Sequence, residues 1–220
     1  MLVKSSPSPL KGLTDFPPGF LFLSNHPALD LLNTELNFQD SGFDLIQTPE
    51  ELLRWLLESK LVTPETYQET SQQLGILSEV QKSCLMNHFA TCRRLFRDVL
   101  QSEGAEPALS DFNRFIQDFP LTKSLVLAND TTEHVAGVSI QETSTLPFPM
   151  NLLHLVIAAC LDCLTRVALS RIHQCENEAC VLLFWDTSKN QTRRWCSMDL
   201  CGNRMKVAAF RERHKSPRKK

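Results

Sequence analysis

Apolar residues recur at helical spacing through most of the first 170 residues. The clearest segment runs from about Ser78 to Glu103 and stops at Gly104, a residue type that commonly ends helices. Its apolar positions are Val80, Leu85, Met86, Phe89, Leu95, Phe96, Val99 and Leu100. A face of this kind predicts a long helix at the centre of the core.

Start signals predict further helices. Thr48 precedes Pro49 and stands three residues before Glu51, which is a capping-box pattern ahead of a leucine-rich run. Thr63-Pro64-Glu65 repeats the signal, and Pro27 is expected to open a short helix. Two more helices are predicted at 111–119 and 150–170.

A strand pattern occurs at two places. Residues 20–23 form a short apolar run, and residues 125–128 and 134–140 flank a polar turn at 129–132, as in a hairpin. The fold class predicted for residues 20–170 is therefore a mainly helical α+β domain with a small antiparallel sheet. A small four-cysteine hairpin-plus-helix module is predicted for 171–215, between that domain and a basic tail at 216–220.

Export and membrane insertion are not indicated. Residues 1–19 contain four prolines and no continuous apolar segment, so we expect a flexible lead and no secretory signal. The most apolar stretch, Leu152–Leu161, is too short and too polar-flanked to span a bilayer. A cytoplasmic protein is expected, in which the eight cysteines stay reduced.

Charge divides the chain into two opposite parts. Residues 1–170 carry 11 Lys+Arg and 20 Asp+Glu, a net charge of -9, whereas residues 171–220 carry 12 and 5, a net charge of +7. Such asymmetry predicts an acidic body joined to a basic module with a polyanionic partner, most often nucleic acid.

The basic module contains two cysteine pairs with metal-ligand spacing. Cys175 and Cys180 form the first pair and Cys196 and Cys201 the second, with fifteen residues between the two pairs. The intervening residues 181–185 and 192–195 read as two strands of a hairpin that could bring four thiolates around one tetrahedral ion. Zinc in a structural role is the favoured interpretation, because a module of this size has little core of its own. An iron-sulfur cluster and buried or disulfide-bonded cysteines are the alternatives.

The same residues carry a family resemblance. Cys201-Gly202-Asn203-Arg204, the Phe184-x-Asp186-x-Ser188 segment and the run from Arg193 to Met198 resemble the CGNR-type zinc finger. Such fingers close bacterial proteins that begin with an ABATE domain, and His26-Pro-Ala-Leu-Asp-Leu-Leu-Asn-Thr34 is similar to the opening motif of that domain. The resemblance implies a stress-related transcription regulator.

A cationic surface around the finger predicts contact with DNA. Its candidate residues are Lys189, Arg193, Arg194, Asn203, Arg204, Lys206, Arg211, Arg213 and Lys215. On a helix, Arg204, Arg211 and Lys215 would form one stripe, and Lys206 and Arg213 a second stripe nearly opposite. Asn203 could be a helix N-cap instead of a base contact, and Trp185 and Trp195 could belong to the finger's small core.

The remaining chemistry is weaker. His26, Asp30, Asn33 and Thr34 could line a pocket for a small-molecule effector, or could cap helices and bond internally. Cys160 and Cys163 are expected to be buried thiols, and Cys84, His88 and Cys92 cannot all reach one ion from a single helix.

No catalytic motif is present, so we expect no enzyme. A finger that docks an acidic protein, or that binds RNA, is the alternative function. A homodimer would extend the few base pairs that one finger can contact.

Overall fold

The computed structural model describes residues 19–38, 41–127, 138–178 and 180–214, with only the backbone at 37, 38, 41 and 42. The predictions for the lead before Gly19, the turn at 129–132, Lys215 and the tail at 216–220 lie outside these residues. Two compact units are formed, one by residues 1–67 with 162–220 and the other by 68–161. None of the described helices is both long and apolar enough to cross a membrane.

The mainly helical α+β class is confirmed. Helices and strands follow in the order α1 Pro27–Leu32, β1 Glu35–Phe38, β2 Ser41–Asp44, α2 Pro49–Glu58, α3 Pro64–Gly75, α4 Glu79–Gln101, α5 Ala108–Ile116, β3 Leu121–Leu127, β4 Val138–Ser144, α6 Leu153–Arg166, β5 Ile172–Gln174, β6 Leu183–Trp185 and α7 Asn203–Arg213. The strands pair as three antiparallel two-stranded sheets, β1 with β2, β3 with β4 and β5 with β6.

Helix α4 forms where its periodicity predicts. Ser78 caps its first turn and makes a reciprocal capping box with Gln81, and the chain turns away at Gly104 with a positive φ of 79°. The buried face consists of Leu85, Phe89, Cys92, Arg93, Leu95, Phe96 and Val99. Val80 is 79% exposed, so its predicted place on this face is wrong. It lies in the first turn, before the helix enters the core.

Helix α2 also follows its sequence signal. Thr48 accepts a hydrogen bond from the N–H of Glu51, and the Glu51 side chain bonds back to the N–H of Thr48, which completes the predicted capping box. Pro49 occupies the first turn, and Trp55 on the buried side is fully enclosed.

Strands β3 and β4 pair as predicted and extend beyond the predicted bounds to Leu121 and Ser144, whereas residues 128 and 134–137 of the predicted strands lie outside the described part of the chain. Leu121 pairs with Ser144 at one end and Leu127 with Val138 at the other. The odd-numbered positions of β3 share one face with the even-numbered positions of β4, and Leu125, Leu127 and Ile140 are largely exposed there.

The strand predicted at 20–23 does not form. The N–H groups of Leu23 and Ser24 donate to the carboxylate of Asp30 at 3.0 and 2.9 Å. The carbonyl of Ser24 accepts from the N–H of Trp185 at 2.8 Å, and that of Leu23 accepts from Arg193. These groups are satisfied by partners on separate elements, so no regular strand ladder develops.

The finger contains a hairpin whose strand partner differs from the predicted one. Strand β6 pairs with β5, which precedes Cys175, and not with residues 192–195. The return segment bonds elsewhere: the N–H of Arg193 donates to Asp186, and that of Thr192 donates to Ser188. A π-helical turn at Met198–Gly202 then leads directly into α7.

Candidate metal centre and cationic surface

Four cysteine sulfurs converge in the finger. The Sγ atoms of Cys175, Cys180, Cys196 and Cys201 all lie within 4.8 Å of one another, and all four residues are buried. The Sγ atoms of Cys180 and Cys196 are 3.8 Å apart, and those of Cys196 and Cys201 are 3.6 Å apart. These separations are far longer than a disulfide bond of about 2.0 Å.

The donor set fits a tetrahedral ion. Zinc bound by four thiolates at about 2.3 Å places adjacent sulfurs about 3.8 Å apart, close to the separations found here. Two N–H donors point at the sulfurs: the backbone of Cys196 toward Cys175 at 3.4 Å, and the amide of Asn177 toward Cys201 at 3.3 Å. Such donors stabilise thiolate charge.

Two tight turns bring the sulfurs together. In the first, the N–H of Cys180 donates to the carbonyl of Asn177 at 2.7 Å, shortly after β5 ends. In the second, Ser197 caps the π-helical turn by accepting from the N–H of Leu200, and the N–H of Cys201 returns to the carbonyl of Ser197 at 3.1 Å.

Gly202 lies in close packing beside the second turn. A Cβ at this position would clash with the sulfur of Met198 and would lie 3.3 Å from the ring of Trp195. The glycine of the CGNR motif therefore lets the chain pass directly under these two side chains, so Trp195 belongs to the packing of the module as well as to its surface.

The thiol protons are shared unequally. The Cys180 and Cys196 thiols donate to the sulfur of Cys175 and lower its pKa. The same interactions raise the pKa of each donor. Cys175 is thus more easily ionised than Cys180 or Cys196.

The finger shares its core with the N-terminal segment of the chain. Its sulfurs pack in one apolar cluster with Leu182 and Phe184, and the cluster also includes Leu21 and Leu36 from the N-terminal part of the same compact unit. Leu23 and Leu45 pack against its edge. The expectation that the module is held by metal alone is therefore incomplete, because residues 20–46 supply part of the apolar burial.

Hydrogen bonds join the same two segments. The side chain of Asn33 donates to the carbonyl of Leu183 at 2.9 Å and accepts from its N–H at 2.8 Å, as a neighbouring strand would. Asn25 donates to the carbonyl of Trp185 and to the hydroxyl of Thr187, both at 3.1 Å. Strand β6 is therefore fixed from both sides, by β5 and by side chains of the N-terminal segment.

Arg193 is bonded within the protein, and its role as a nucleic-acid contact stays a prediction. Its guanidinium donates to the carbonyls of Leu23, Trp185, Trp195 and Cys196, and it lies over the ring of Phe184 with its carbon 4.4 Å from the centroid. Burial lowers its pKa, while the charges of Cys196, Asp186 and Cys175 oppose that change. Four N–H···O bonds to internal carbonyls hold this guanidinium in place.

Asp186 completes this arrangement. Its carboxylate accepts from the N–H of Ser188 at 2.8 Å and from that of Arg193 at 3.0 Å, and the bonds to Ser188 lower its pKa. The resemblance to the family included this Asp-x-Ser pattern, but its function as a turn that orients Arg193 emerges only from the structure.

The predicted ligand-pocket residues also make internal hydrogen bonds. The Nδ1 of His26 accepts from the N–H of Ala28 at 3.2 Å and so caps α1, while its Nε2 lies 3.2 Å from the carboxylate of Asp162. Asp30 holds the loop at 23–24, and burial raises its pKa to about 6. Thr34 donates to the carbonyl of Leu31, and Asn33 bonds to β6. Each of these polar side chains therefore has a partner within the protein, and the effector stays a prediction.

The other predicted contact residues lie on the finger surface. Lys189, Asn203, Lys206, Arg211 and Arg213 are exposed, and Arg204 is half-buried. Arg194 is exposed but ion-paired with Glu176, with its Nε at 2.6 Å from the carboxylate. Asn203 is not an N-cap, because the chain already has helical dihedrals there and at Gly202.

The cysteines outside the finger do not join the cluster. Cys160 and Cys163 are buried, and burial raises the pKa of Cys163 to about 12, as expected for an inert thiol. Cys84 is exposed, with its Sγ 3.7 Å from the Nδ1 of His88, whereas Cys92 is buried in the core.

Comparison with known families agrees with these observations. A model described as "CGNR zinc finger" matches residues 171–214. The ABATE model, described as "Putative stress-induced transcription regulator", matches residues 25–167, which is more than half of the chain. The comparison with curated proteins found no match. The chain therefore belongs to the ABATE family and carries a CGNR zinc finger.

Proposed function

We propose that this chain is a DNA-binding transcription regulator whose finger is held by one structural zinc ion and contacts DNA through α7. The observation that carries the proposal is a four-sulfur cluster directly followed by an exposed cationic helix. Cys175, Cys180, Cys196 and Cys201 would hold the ion. Because four thiolates leave no open coordination position, the ion would supply rigidity and no catalysis.

Electrostatics supports the choice of a polyanionic partner. Lys206, Arg211 and Arg213 are exposed on α7, and Lys189 is exposed nearby in the sequence of the finger. The only acidic residue within α7 is Glu212. Exposed cations of this kind bind phosphates with release of counterions, so the affinity should depend strongly on salt.

The proposal is tested by measuring duplex binding as a function of salt. We expect log Kd to change linearly with log salt, with a slope of about 0.9 for each phosphate contacted. The triple variant K206A/R211A/R213A should bind more weakly and show a smaller slope. A chelator that removes the zinc should abolish binding by the wild-type protein.

A matched control uses three cations outside the finger. The variant R94A/R114A/K123A removes the same charge from residues that are exposed and ion-paired in α4, α5 and β3. It should keep the wild-type slope. The proposal fails if the wild-type protein does not bind DNA at low salt, or if the affinity survives complete metal removal. Binding to an acidic protein alone would favour the docking alternative.

Neither an effector nor a homodimer is part of this proposal. The cluster from His26 to Thr34 is occupied by internal bonds, and both predictions await a direct measurement of ligand binding and of oligomeric state.

A further inference from the structure

One face of α7 differs from the rest of the helix. Asn203, Val207, Phe210 and His214 follow one another at intervals of four, three and four residues, which places them on one side of a helix. We call these four residues the α7 strip. Val207 is 47% exposed and Phe210 is 55% exposed, and the rings of Phe210 and His214 stack with centroids 4.0 Å apart.

Cations border the α7 strip on both sides. At about 100° per residue, Lys206 and Arg213 lie about 80° from the centre of the strip in one direction, and Arg204 and Arg211 lie about 80° from it in the other. The acidic Glu212 falls on nearly the opposite side of the helix. The strip is thus a narrow band of amide, apolar and aromatic groups between two basic rows.

Another face of α7 is turned toward the finger. Met205, Lys206, Ala209 and Arg213 line a cavity of about 300 Å³ together with Glu176, Arg194 and Trp195. Since these four helix positions lie on average roughly 115° from the centre of the strip, the strip does not face the finger body, and the row of Lys206 and Arg213 lies between the two. Packing within the finger therefore does not explain the exposed Val207 and Phe210.

We infer that the α7 strip is the base-reading edge of the finger, inserted in the major groove of B-form DNA with one basic row along each phosphate backbone. This inference rests on the proposed function and narrows its substrate to sequence-selected duplex DNA. A helix of 10–12 Å diameter fits a major groove about 12 Å wide. Asparagine can bond adenine with two hydrogen bonds, and apolar side chains contact the thymine methyl group.

The same geometry disfavours the other nucleic acids. The major groove of an A-form RNA helix is deep and narrow and does not admit such a helix. A surface that binds only phosphates needs cations and gains nothing from an exposed valine and phenylalanine. A strip of readable groups between two rows of cations is what direct base readout requires.

The experiment begins with selection of duplexes from a random pool by the wild-type protein. Affinities for the selected site and for a shuffled site of the same composition are then compared. The variant N203A/V207A should lose about tenfold or more of the preference for the selected site while keeping its salt slope. K206A/R213A should instead weaken binding to both duplexes equally and lower the slope.

Two controls separate folding from readout. Ala208→Ser changes α7 outside the α7 strip and should keep the full preference. Zinc content and helical circular dichroism should be unchanged in every variant. If a strip variant does not fold, replacing adenine by 7-deazaadenine in the selected site supplies the answer with wild-type protein alone. This change removes the major-groove N7 acceptor to which Asn203 would bond, and it should weaken binding.

The outcomes distinguish the two proposals. Absence of salt-dependent DNA binding by the wild-type protein would overturn the proposed function. DNA binding without any enriched sequence would overturn the strip inference alone. So would an unchanged preference in folded N203A/V207A, unchanged affinity for a site with 7-deazaadenine, or equally tight binding to an RNA duplex.

Discussion

Helix α4 and the zinc finger are stabilised in contrasting ways. In α4, the cap, the apolar face and the terminating glycine all lie within one continuous segment from Ser78 to Gly104. In the finger, strands β5 and β6 have three residues each, and Leu183 is held by Asn33, 150 residues away in sequence. The first region is specified by local signals and the second by distant ones.

The difference shows where the stability of each region originates. Helix α4 gains from burial of a regular apolar face, a contribution that many positions share. The finger depends on a few groups that each satisfy several partners, such as the sulfur cluster and the guanidinium of Arg193. A single substitution should therefore have a larger effect in the finger than in α4.

Removal of the metal tests this comparison most strongly. Cys201→Ser should abolish stoichiometric zinc binding, which contributes on the order of 10 kcal/mol to structural fingers. Hydrogen exchange should show lost protection in 171–202 and also in 20–36, because these segments share one apolar cluster. Cys84→Ser is the control, because it changes an exposed thiol of α4. This variant should bind as much zinc as the wild-type protein. Retention of full protection in 20–36 would contradict the shared core.

Arg193→Lys should have the next largest effect. A lysine has no fork with which to reach four carbonyls, so buried acceptors lose their donors, at a cost of about 3 kcal/mol. The adjacent Arg194→Lys changes an exposed ion pair and should cost less than about 1 kcal/mol. Denaturant unfolding of both variants measures the difference in the free energy of unfolding. An equal loss in the two variants would contradict a structural role for Arg193.

Asp30→Asn tests how the cost of burying the Asp30 carboxylate changes the stability of the protein with pH. The pKa of Asp30 is about 6 in the folded chain against 3.8 for an ordinary aspartate, so the folded state holds the proton more tightly. Wild-type stability should therefore fall as the pH rises through this interval, by up to about 3 kcal/mol.

Asparagine at position 30 keeps an oxygen acceptor for Leu23 and Ser24 but does not ionise. The stability of the variant relative to wild type should thus increase between pH 4.5 and pH 7.5, a difference that unfolding curves at the two pH values would measure. A difference that stays constant would show that the Asp30 carboxyl titrates normally in the folded chain.

Ser78→Ala is expected to have the smallest effect. It removes the side-chain acceptor of the α4 cap, which costs about 1 kcal/mol in comparable helices. Thermal unfolding would register a modest decrease, with zinc content unchanged. A loss as large as that of Arg193→Lys would show that α4 is also specified by a few critical groups.

The sequence predicts what is local in this molecule. The capping box at Thr48, the extent of α4 and the grouping of four cysteines are each encoded within a few tens of residues, and all three are present in the structure. Apolar periodicity does not predict burial at the ends of a helix. Val80 has the right spacing but lies in the first turn, outside the core.

Long-range pairing is the part that sequence patterns miss. The run at 20–23 is apolar like a strand, yet Asp30 and Trp185 take its backbone bonds. Arg193 and Arg194 look equivalent in sequence, but only Arg193 is directed inward, because Asp186 holds its backbone. Nothing in the spacing of residues reveals a partner that is 150 or more positions away.

Because Leu21 and Leu36 complete the apolar cluster around the sulfurs, we expect the finger to be less stable when it is moved alone into another protein. A fragment of residues 171–214 would leave Leu182 and Phe184 without part of their cover, even when loaded with metal. A chimera that exchanges fingers between relatives should therefore carry residues 20–46 along with the donor finger.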